Sequence, residues 1–437
     1  MSGLPSRRAL LVQSSTLGGL ALLGGCPRPA QVLEASPTEL LTDTGLTQAD
    51  LDDALRRLRA AGLSQGELFI QRRRSQQLSF GSGLPALQES HSSGLALRVR
   101  QGDIEKDACI GRIDRETLHK LLARVGVEAP ELLDSTEPSA VFSGEDHPAT
   151  QRSPASADIA ALHLELSGEL GPDVELTTTT LVVEDRVVVV TLDGRLHRRA
   201  TVLARIDSTA SAREKRVTIR EHLFDLLATE PQGARADLIE RLRSRLAAPS
   251  LAPPPGPIAL LLHAGGAAAW VAACEQGVLE GRGMLLGGVD DSGHAPSDNV
   301  HNPAAPQTRF RAHFDADLRS HPRSLTLSAE SSQSADRLVA SFTEGLQVIR
   351  LADLTRSGDG LTGRVAEGWW HQPGQAPATV PEDTRVWLPT IGGLSALGND
   401  PTADQLDALH LRPHAPMLDA AHPTVLFSGA RVEAPDV

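Results

Sequence analysis

Residues 174–206, VELTTTTLVVEDRVVVVTLDGRLHRRATVLARI, decide the fold of the first half of the chain. This stretch contains three strand-like runs, at 174–183, 186–192 and 195–206. Asp193-Gly194 separates the last two runs, and the pair favours a tight hairpin because glycine tolerates the positive φ that such a turn requires. We therefore predict consecutive antiparallel strands here.

A helix is predicted well upstream of these strands. Leu51, Leu55 and Leu58 fall on one face at helical spacing. Thr47 can cap this helix, and Asp50 at the third helical position completes a capping-box-like pattern. The first secondary-structure element of the body is thus an amphipathic helix.

More strands are predicted between that helix and the hairpin. The strand-like runs are 67–71, 77–80 and 94–100, and a second helical pattern covers 116–125. Arg72-Arg73-Arg74 lies between the first two runs. We interpret it as a solvated hairpin turn, because consecutive arginines usually face water.

The second half of the chain is predicted to be mostly β. Pro253-Pro254-Pro255 makes a stiff break, after which short apolar runs alternate with Gly, Pro and Asp. We predict an α+β protein: an N-terminal mixed helix/antiparallel-sheet domain, then a mostly β, barrel-like C-terminal domain. The predicted segments are an export signal at 1–26, a tether at 27–45, an N-terminal α/β part at 46–127, a linker at 128–157, a second α/β part at 158–250 and the β-rich domain at 256–437.

Charge argues against one class of partner. The chain has 437 residues and a formal net charge of -13, so its summed field repels polyanions. No cluster of Lys and Arg with interleaved aromatic residues could follow a phosphate backbone. We expect no direct binding of nucleic acid.

The N-terminus has the order of a secretory signal. Arg7-Arg8 precedes an apolar, glycine-rich run at 9–25, which is too short for a membrane span with normal flanks. The residues before Cys26 resemble a bacterial lipobox, and the arginine pair resembles a twin-arginine signal. We expect an exported protein whose lipidated Cys26 anchors it to a bacterial membrane. The alternative is a disordered or helical tail on a cytoplasmic protein.

Several segments together resemble one known family. They are an apolar strand ending at His263, the glycine-rich segment 360–370, Ala396-Leu397-Gly398-Asn399-Asp400 and the closing segment 423–432. In this order, after the N-terminal helices and strands, they are similar to the TldD/PmbA family, once called modulators of DNA gyrase. The chain resembles a degenerate, PmbA-like member.

The resemblance implies a lost metal site. The active branch of the family carries His-Glu-x-x-x-His and a later Cys, which can hold Zn²⁺ while the Glu activates a water molecule. Here His263 keeps the first His, but Ala264 replaces the Glu and Ala268 replaces the second His, and no Cys follows Asp400. We therefore expect no catalytic residues, no bound metal and no cofactor, and interpret His263 as a hydrogen-bonded core residue. Whether the chain has enzymatic activity is left open by these substitutions.

Two other groups of residues could form a site. His410, His414 and His422 lie close in sequence and could bind zinc or nickel, but their spacing and the nearby prolines favour surface histidines in a loop. Trp369-Trp370 could line a groove. An alternating strand would point one indole inward and the other outward, so core plus surface is the preferred interpretation.

Three functions fit the sequence. The first is a non-catalytic subunit that assists a motif-bearing TldD-like homologue in peptide processing, as PmbA-type members do, in a dimer that handles a peptide substrate. The second is an active metallopeptidase or another hydrolase with an unrecognised site, although no nucleophile motif stands out. The third is a lipid-anchored protein that binds a peptide or another ligand.

Overall fold

The structure is a computed structural model that describes most of the body of the chain. The described residues are 46–63, 65–102, 104–127, 143–147, 151–228, 232–264, 284–287, 324–329, 333–358, 360–389, 394–400, 402–403, 419–422 and 424–434.

The N-terminal half combines helices with one sheet. Its elements are α1 Gln48–Ala60, β1 Gln65–Phe80, β2 Ala86–Gln101, β3 Ile104–Ile110, α2 Arg115–Arg124, β4 Ser143–His147, α3 Ser156–Leu170, β5 Glu175–Thr191, β6 Arg195–Ala212, β7 Lys215–His222, α4 Leu223–Leu227 and α5 Gln232–Ala247. The strand order is β3-β2-β1-β5-β6-β4, and β7 also pairs with β6. The predicted β5–β6 hairpin is present, with Gly194 at a φ of 92°.

Helix α1 begins as the sequence predicts. The Thr47 side chain accepts from the backbone of Asp50, and Asp50 accepts in return from the Thr47 backbone at 2.7 Å. This capping box satisfies amide groups that the first helical turn would otherwise leave without partners. Leu51, Leu55 and Leu58 are buried on one face of the helix.

The prediction of a hairpin turn at Arg72-Arg73-Arg74 is wrong. Strand β1 continues through all three residues and pairs with β2 on one side and β5 on the other. Arg72 and Arg74 point to solvent, while Arg73 is buried. A strand with alternating exposure accommodates the triplet because Asp185 on β5 neutralises the buried Arg73 at 3.3 Å.

A strand also lies within the segment predicted as a linker. Strand β4 pairs in parallel with the first part of β6. The sequence around it is rich in Pro, Ser and acidic residues and carries no alternating apolar pattern, so periodicity could not reveal it.

The helices cover one face of the sheet. Leu68 and Ile70 on β1 pack with α1 and α2, whereas Leu78 on the same strand packs in a second cluster with α3, α4 and α5. These three positions are separated by even numbers of residues and therefore project to the same side. The two clusters are separate, and each packs against this face of the sheet.

The C-terminal half contains a closed barrel. Its elements are β8 Gly256–Leu262, β9 Met284–Gly287, β10 Ser324–Ala329, α6 Ala335–Ser341, β11 Gly345–Ser357, β12 Gly360–His371, β13 Ala378–Thr379, β14 Arg385–Pro389, β15 Leu394–Leu397, β16 Thr402–Ala403, β17 Asp419–His422 and β18 Val425–Val432. Strands β11-β8-β18-β14-β12 form a ring, because β12 pairs back onto β11. The order β16-β17-β10-β9 forms a separate small sheet. The predicted α+β class and barrel-like second half are confirmed.

The barrel core is apolar and closely packed. Leu260, Leu262 and Phe427 are fully buried at its centre. Gly360 opens β12 where a Cβ atom would collide with the carbonyl oxygen of Leu388, so only glycine fits there. The glycine-rich character of 360–370 thus reflects close approach between barrel strands.

Candidate functional site

His263 lies at the carboxyl end of β8. Strand β8 runs between β11 and β18, and the backbone amide of His263 donates to the Val348 carbonyl at 2.9 Å. This bond extends the β8–β11 ladder by one residue. The first position of the degenerate metal motif is therefore held on a rigid barrel strand.

The His263 side chain is joined to a second histidine through Gln347. The Gln347 amide nitrogen lies 2.6 Å from Nε2 of His263, and its Oε1 lies 2.6 Å from Nε2 of His371. With the amide in this orientation, Gln347 donates to an unprotonated Nε2 of His263 and accepts from the protonated Nε2 of His371. Phe342 packs edge-on against the His371 ring at 5.8 Å.

Burial keeps His263 neutral. Loss of hydration lowers the pKa of His263 below its usual value, although the charges of Asp400 and Glu367 act in the opposite direction. A neutral imidazole is also the form that accepts a hydrogen bond from Gln347. Nε2, an atom through which a histidine can bind a metal, is thus occupied by an amide hydrogen.

The second motif position offers no ligand. Ala264 follows His263 where the family's Glu would stand, and a methyl group can neither bind a metal nor accept a proton. Ala268 lies outside the described residues. Within the part of the chain that the structure describes, no three His, Cys, Asp or Glu side chains converge to hold a metal ion.

The segment that ends in Asn399-Asp400 has a structural role. The carboxylate of Asp400 accepts from the backbone amide of Thr424 at 2.9 Å and from its hydroxyl at 2.7 Å. The Asn399 side chain accepts from the amide of Ala335 at 3.2 Å, at the start of α6. These contacts tie the end of β15 to α6 and to the start of β18, which pairs with the end of β8.

Buried charges join the two halves of the protein next to this site. Glu367 on β12 is 1% exposed, and its Oε1 accepts from Nη2 of Arg241 on α5 at 2.9 Å. Arg241 also pairs with Glu221 at the end of β7. Burial alone would raise the pKa of Glu367, but the guanidinium charges of Arg241, Arg245 and Arg350 together hold it below its usual value.

Arg245 is the least well matched member of this cluster. It is 5% exposed, its Nη1 lies 3.9 Å from Oε1 of Glu367, and its guanidinium carbon lies 5.6 Å from the centroid of the Trp369 ring. Burial lowers the pKa of Arg245, and the charges of Arg241 and Arg350 lower it further against the opposite effect of Glu367.

The sequence pattern predicts the positions of some of these residues but not of others. Trp370 packs into the barrel core and Trp369 is half-buried outside it, as the alternating pattern predicts. Gln347 and Glu367 were missed. The signal for Glu367 was a single acid in an otherwise apolar, glycine-rich strand, since such an acid must be paired if it is buried.

The histidine-rich segment near the C-terminus differs in part from the prediction. His422 ends β17, which pairs with β10 and β16, so this residue belongs to a strand and not to a loop. Its side chain, like His410 and His414, lies outside what the structure describes. None of the described helices is long and apolar enough to cross a membrane.

The fold defines the class of the protein. A helix-covered antiparallel sheet followed by a closed barrel is the fold of the TldD/PmbA family. The resemblance inferred from the sequence is thus confirmed at the level of the fold. No protein-family model matches the sequence, and no curated protein sequence is significantly similar to it.

Solved structures show this similarity in detail. The chain is similar to TldE from Thermococcus kodakarensis, with 10% identity and a TM-score of 0.57 over 88% of this chain and 100% of TldE. The chain is also similar to a proposed modulator of a DNA gyrase from Thermotoga maritima, with 12% identity and a TM-score of 0.57 over 88% of this chain and 99% of that one. A third structure, a proposed modulator of DNA gyrase from Bacteroides thetaiotaomicron, has 14% identity and a TM-score of 0.51 over 89% of this chain and 98% of that one.

Proposed function

We propose that the chain is a non-catalytic subunit that pairs with a motif-bearing TldD-like homologue and assists it in processing peptides. The observation that carries the proposal is the state of the motif position. His263 is half-buried and hydrogen-bonded to Gln347, and the residue after it is Ala264. These two positions offer one donor, which already binds Gln347, and no carboxylate where the family's Glu would activate water.

The likeness to TldE supports a partner of this kind. PmbA-type members lack the metal motif and act together with a motif-bearing subunit, so a similar fold with a degenerate motif fits the same role. A subunit of this kind needs a preserved shape more than reactive groups. The ring of five paired strands and the buried charges between the two halves support such a rigid shape.

The peptide contact is proposed to use main-chain hydrogen bonds. A peptide can add a strand to an open sheet edge without any catalytic residue. The closed barrel leaves its five strands without such an edge. Among the described residues, the first part of β2 is a better candidate, because 86–91 are exposed and β3 pairs only with residues from Leu95 onward.

A co-purification experiment tests the subunit proposal. The chain and a motif-bearing homologue encoded in the same genome are expressed together, one of them with an affinity tag, and cleavage of an unstructured peptide is measured. We expect the two chains to elute together, and cleavage to be faster for the complex than for the homologue alone. If the homologue does not bind this chain and cleaves the peptide equally well by itself, the subunit model fails. The chain is then better described as a lipid-anchored protein that binds a ligand.

We also propose that the protein is exported and anchored through a lipid on Cys26. The arginine pair, the apolar run and the small residues before Cys26 come in the order of a lipoprotein signal. Labelling cells with a fatty acid is expected to mark the wild type and not Cys26→Ser. Equal labelling of the two, or an intact N-terminus on protein from cells, would show that the anchor does not exist.

A further inference from the structure

The junction between the two halves carries more buried positive than negative charge. Three guanidinium groups, from Arg241, Arg245 and Arg350, act on the single carboxylate of Glu367. Arg241 has its own acid in Glu221, which occupies one side of its guanidinium. The Glu367 oxygen nearest to Arg245 is already hydrogen-bonded to Arg241 at 2.9 Å.

Arg245 is left with donors that the described residues do not satisfy. Its Nε and Nη1 are buried without a hydrogen-bond acceptor, and its nearest acid lies at the 3.9 Å distance of a loose ion pair. A buried guanidinium without acceptors is costly, because desolvation removes its water and nothing replaces it. A bound anion would supply the missing acceptors.

The surroundings of Arg245 favour a flat, singly charged anion. The guanidinium carbon lies 5.6 Å from the centroid of the Trp369 ring, and Nε and Nη1 of Arg245 have no acceptor among the described residues. A carboxylate matches this planar fork with two parallel hydrogen bonds. Arg245 keeps 5% of its surface exposed, and the exposed Glu382 also acts on its charge.

The same residues lie next to the degenerate metal motif. Trp369 is paired with Gln347 across the β11–β12 ladder, and Gln347 is the residue that binds His263. A ligand group held by Arg245 would therefore lie beside the position where motif-bearing members of this fold carry their metal.

We propose that Arg245 and Trp369 form a carboxylate-binding site for the end of a peptide. The inference rests on the proposed function for its ligand class, since a peptide is what the proposed complex processes. The C-terminal carboxylate accepts from Nε and an Nη group of Arg245. The chain would thus fix one end of a peptide beside the junction, while the homologue supplies the reaction.

Calorimetric titration of the purified full chain tests the site without any partner. The probes are N-acetyl-tetraalanine with a free C-terminal carboxylate, the same peptide as its amide, and an amidated peptide with one Glu. We expect the free acid to bind at least about tenfold more tightly than the tetraalanine amide, as a charge-assisted pair of hydrogen bonds provides. Preference for the Glu peptide over the free acid would assign the site to side-chain carboxylates instead.

Variants separate the site from general effects of charge. Arg245→Met is expected to abolish the preference for the acid and to leave the melting temperature unchanged or higher, because the guanidinium has few partners. Arg245→Lys keeps the positive charge but loses the planar pair of donors, so it should also lose the preference for the acid. This variant replaces Arg245→Met in the test if the methionine variant does not fold. Arg243→Met is the matched control on the exposed side of α5 and should keep the full preference.

Two results would overturn the proposal: equal binding of acid and amide by the wild type, or an unchanged preference in both Arg245 variants. Loss of the complex with the homologue would not count against it, because the titration uses this chain alone. A chain that prefers the acid but forms no complex would keep the site and remove the subunit model.

Discussion

Arg241 on α5 donates to Glu367 on β12 at 2.9 Å, so a hydrogen bond between opposite charges connects the N-terminal half to the barrel. Glu367 is fully buried within the barrel half, and Arg241 comes from the half that precedes the proline break. The contact lies beside Trp369 and the Gln347 bridge. The relative position of the two halves and the geometry near His263 therefore depend on the same pair.

Replacing Glu367 should weaken the junction strongly. In Glu367→Gln three guanidinium groups lose their shared counter-charge, and breaking a buried ion pair typically costs about 3–5 kcal/mol. We expect a lower midpoint in urea, a denaturant that does not screen charges. Glu382→Gln removes an exposed acid near the same arginine and should stay close to wild type. Similar midpoints for the two variants would contradict a role for Glu367 in stability.

The three consecutive arginines of β1 should differ in importance. Burial alone would raise the pKa of Asp185, but the charges of Arg73 and Arg199 and a hydrogen bond from Gln71 hold it below its usual value. Arg73→Ala removes the nearest of these charges and should lower the free energy of unfolding by about 3 kcal/mol. This is the lower end of the usual cost of breaking a buried ion pair, because Arg199 still neutralises Asp185.

The neighbours of Arg73 provide the matched controls. Arg72 and Arg74 are exposed on the same strand, so Arg72→Ala and Arg74→Ala should change stability little. Equilibrium unfolding of the three variants in urea makes the comparison. Equal losses of unfolding free energy in all three variants would show that the three arginines are equivalent, as three solvent-exposed residues would be.

The sequence predicted what depends on local pattern. The capping box at Thr47 and Asp50 and the Asp193-Gly194 hairpin each depend on neighbouring residues, and the structure contains both. The β-rich second half could also be predicted, because Gly, Pro and Asp punctuate its short apolar runs.

Features that depend on distant pairing could not be predicted. Arg73 is buried because Asp185, far along the chain, lies opposite it across β1 and β5. The Gln347 bridge exists because barrel closure brings β8, β11 and β12 together. A single sequence carries no record of such pairings, so a buried arginine and a bridging glutamine look like surface residues in it.

The purified protein is expected to contain no stoichiometric zinc. Of the motif's residues only His263 is retained, because Ala264 and Ala268 have no donor atom in their side chains. The His263 side chain is itself already hydrogen-bonded to Gln347. Losing donors removes most of the binding free energy of a metal site. Elemental analysis after gentle purification is the measurement. About one zinc per chain that disappears in His263→Ala would disprove this expectation.

Stability should fall as the pH is lowered through the usual titration range of histidine. Burial depresses the pKa of His263 below 6.5, so the unfolded chain takes up a proton at a pH where the folded chain does not. The stabilising effect of the neutral imidazole is fully present above pH 6.5 and is lost progressively as the pH falls toward the folded pKa. One such group contributes at most about 1.4 kcal/mol per pH unit.

His163 must be separated from this effect, because burial also lowers its pKa. Urea unfolding at intervals between pH 7.5 and 5.5 is therefore measured for wild type, His163→Asn and His263→Asn. We expect His263→Asn to flatten the dependence more than His163→Asn, since His263 is the more deeply buried ring. Gln347→Ala should flatten it too, because it removes the donor that favours the neutral form. A profile for His263→Asn that parallels the wild type would show that His263 is protonated to the same extent in the folded and unfolded chain.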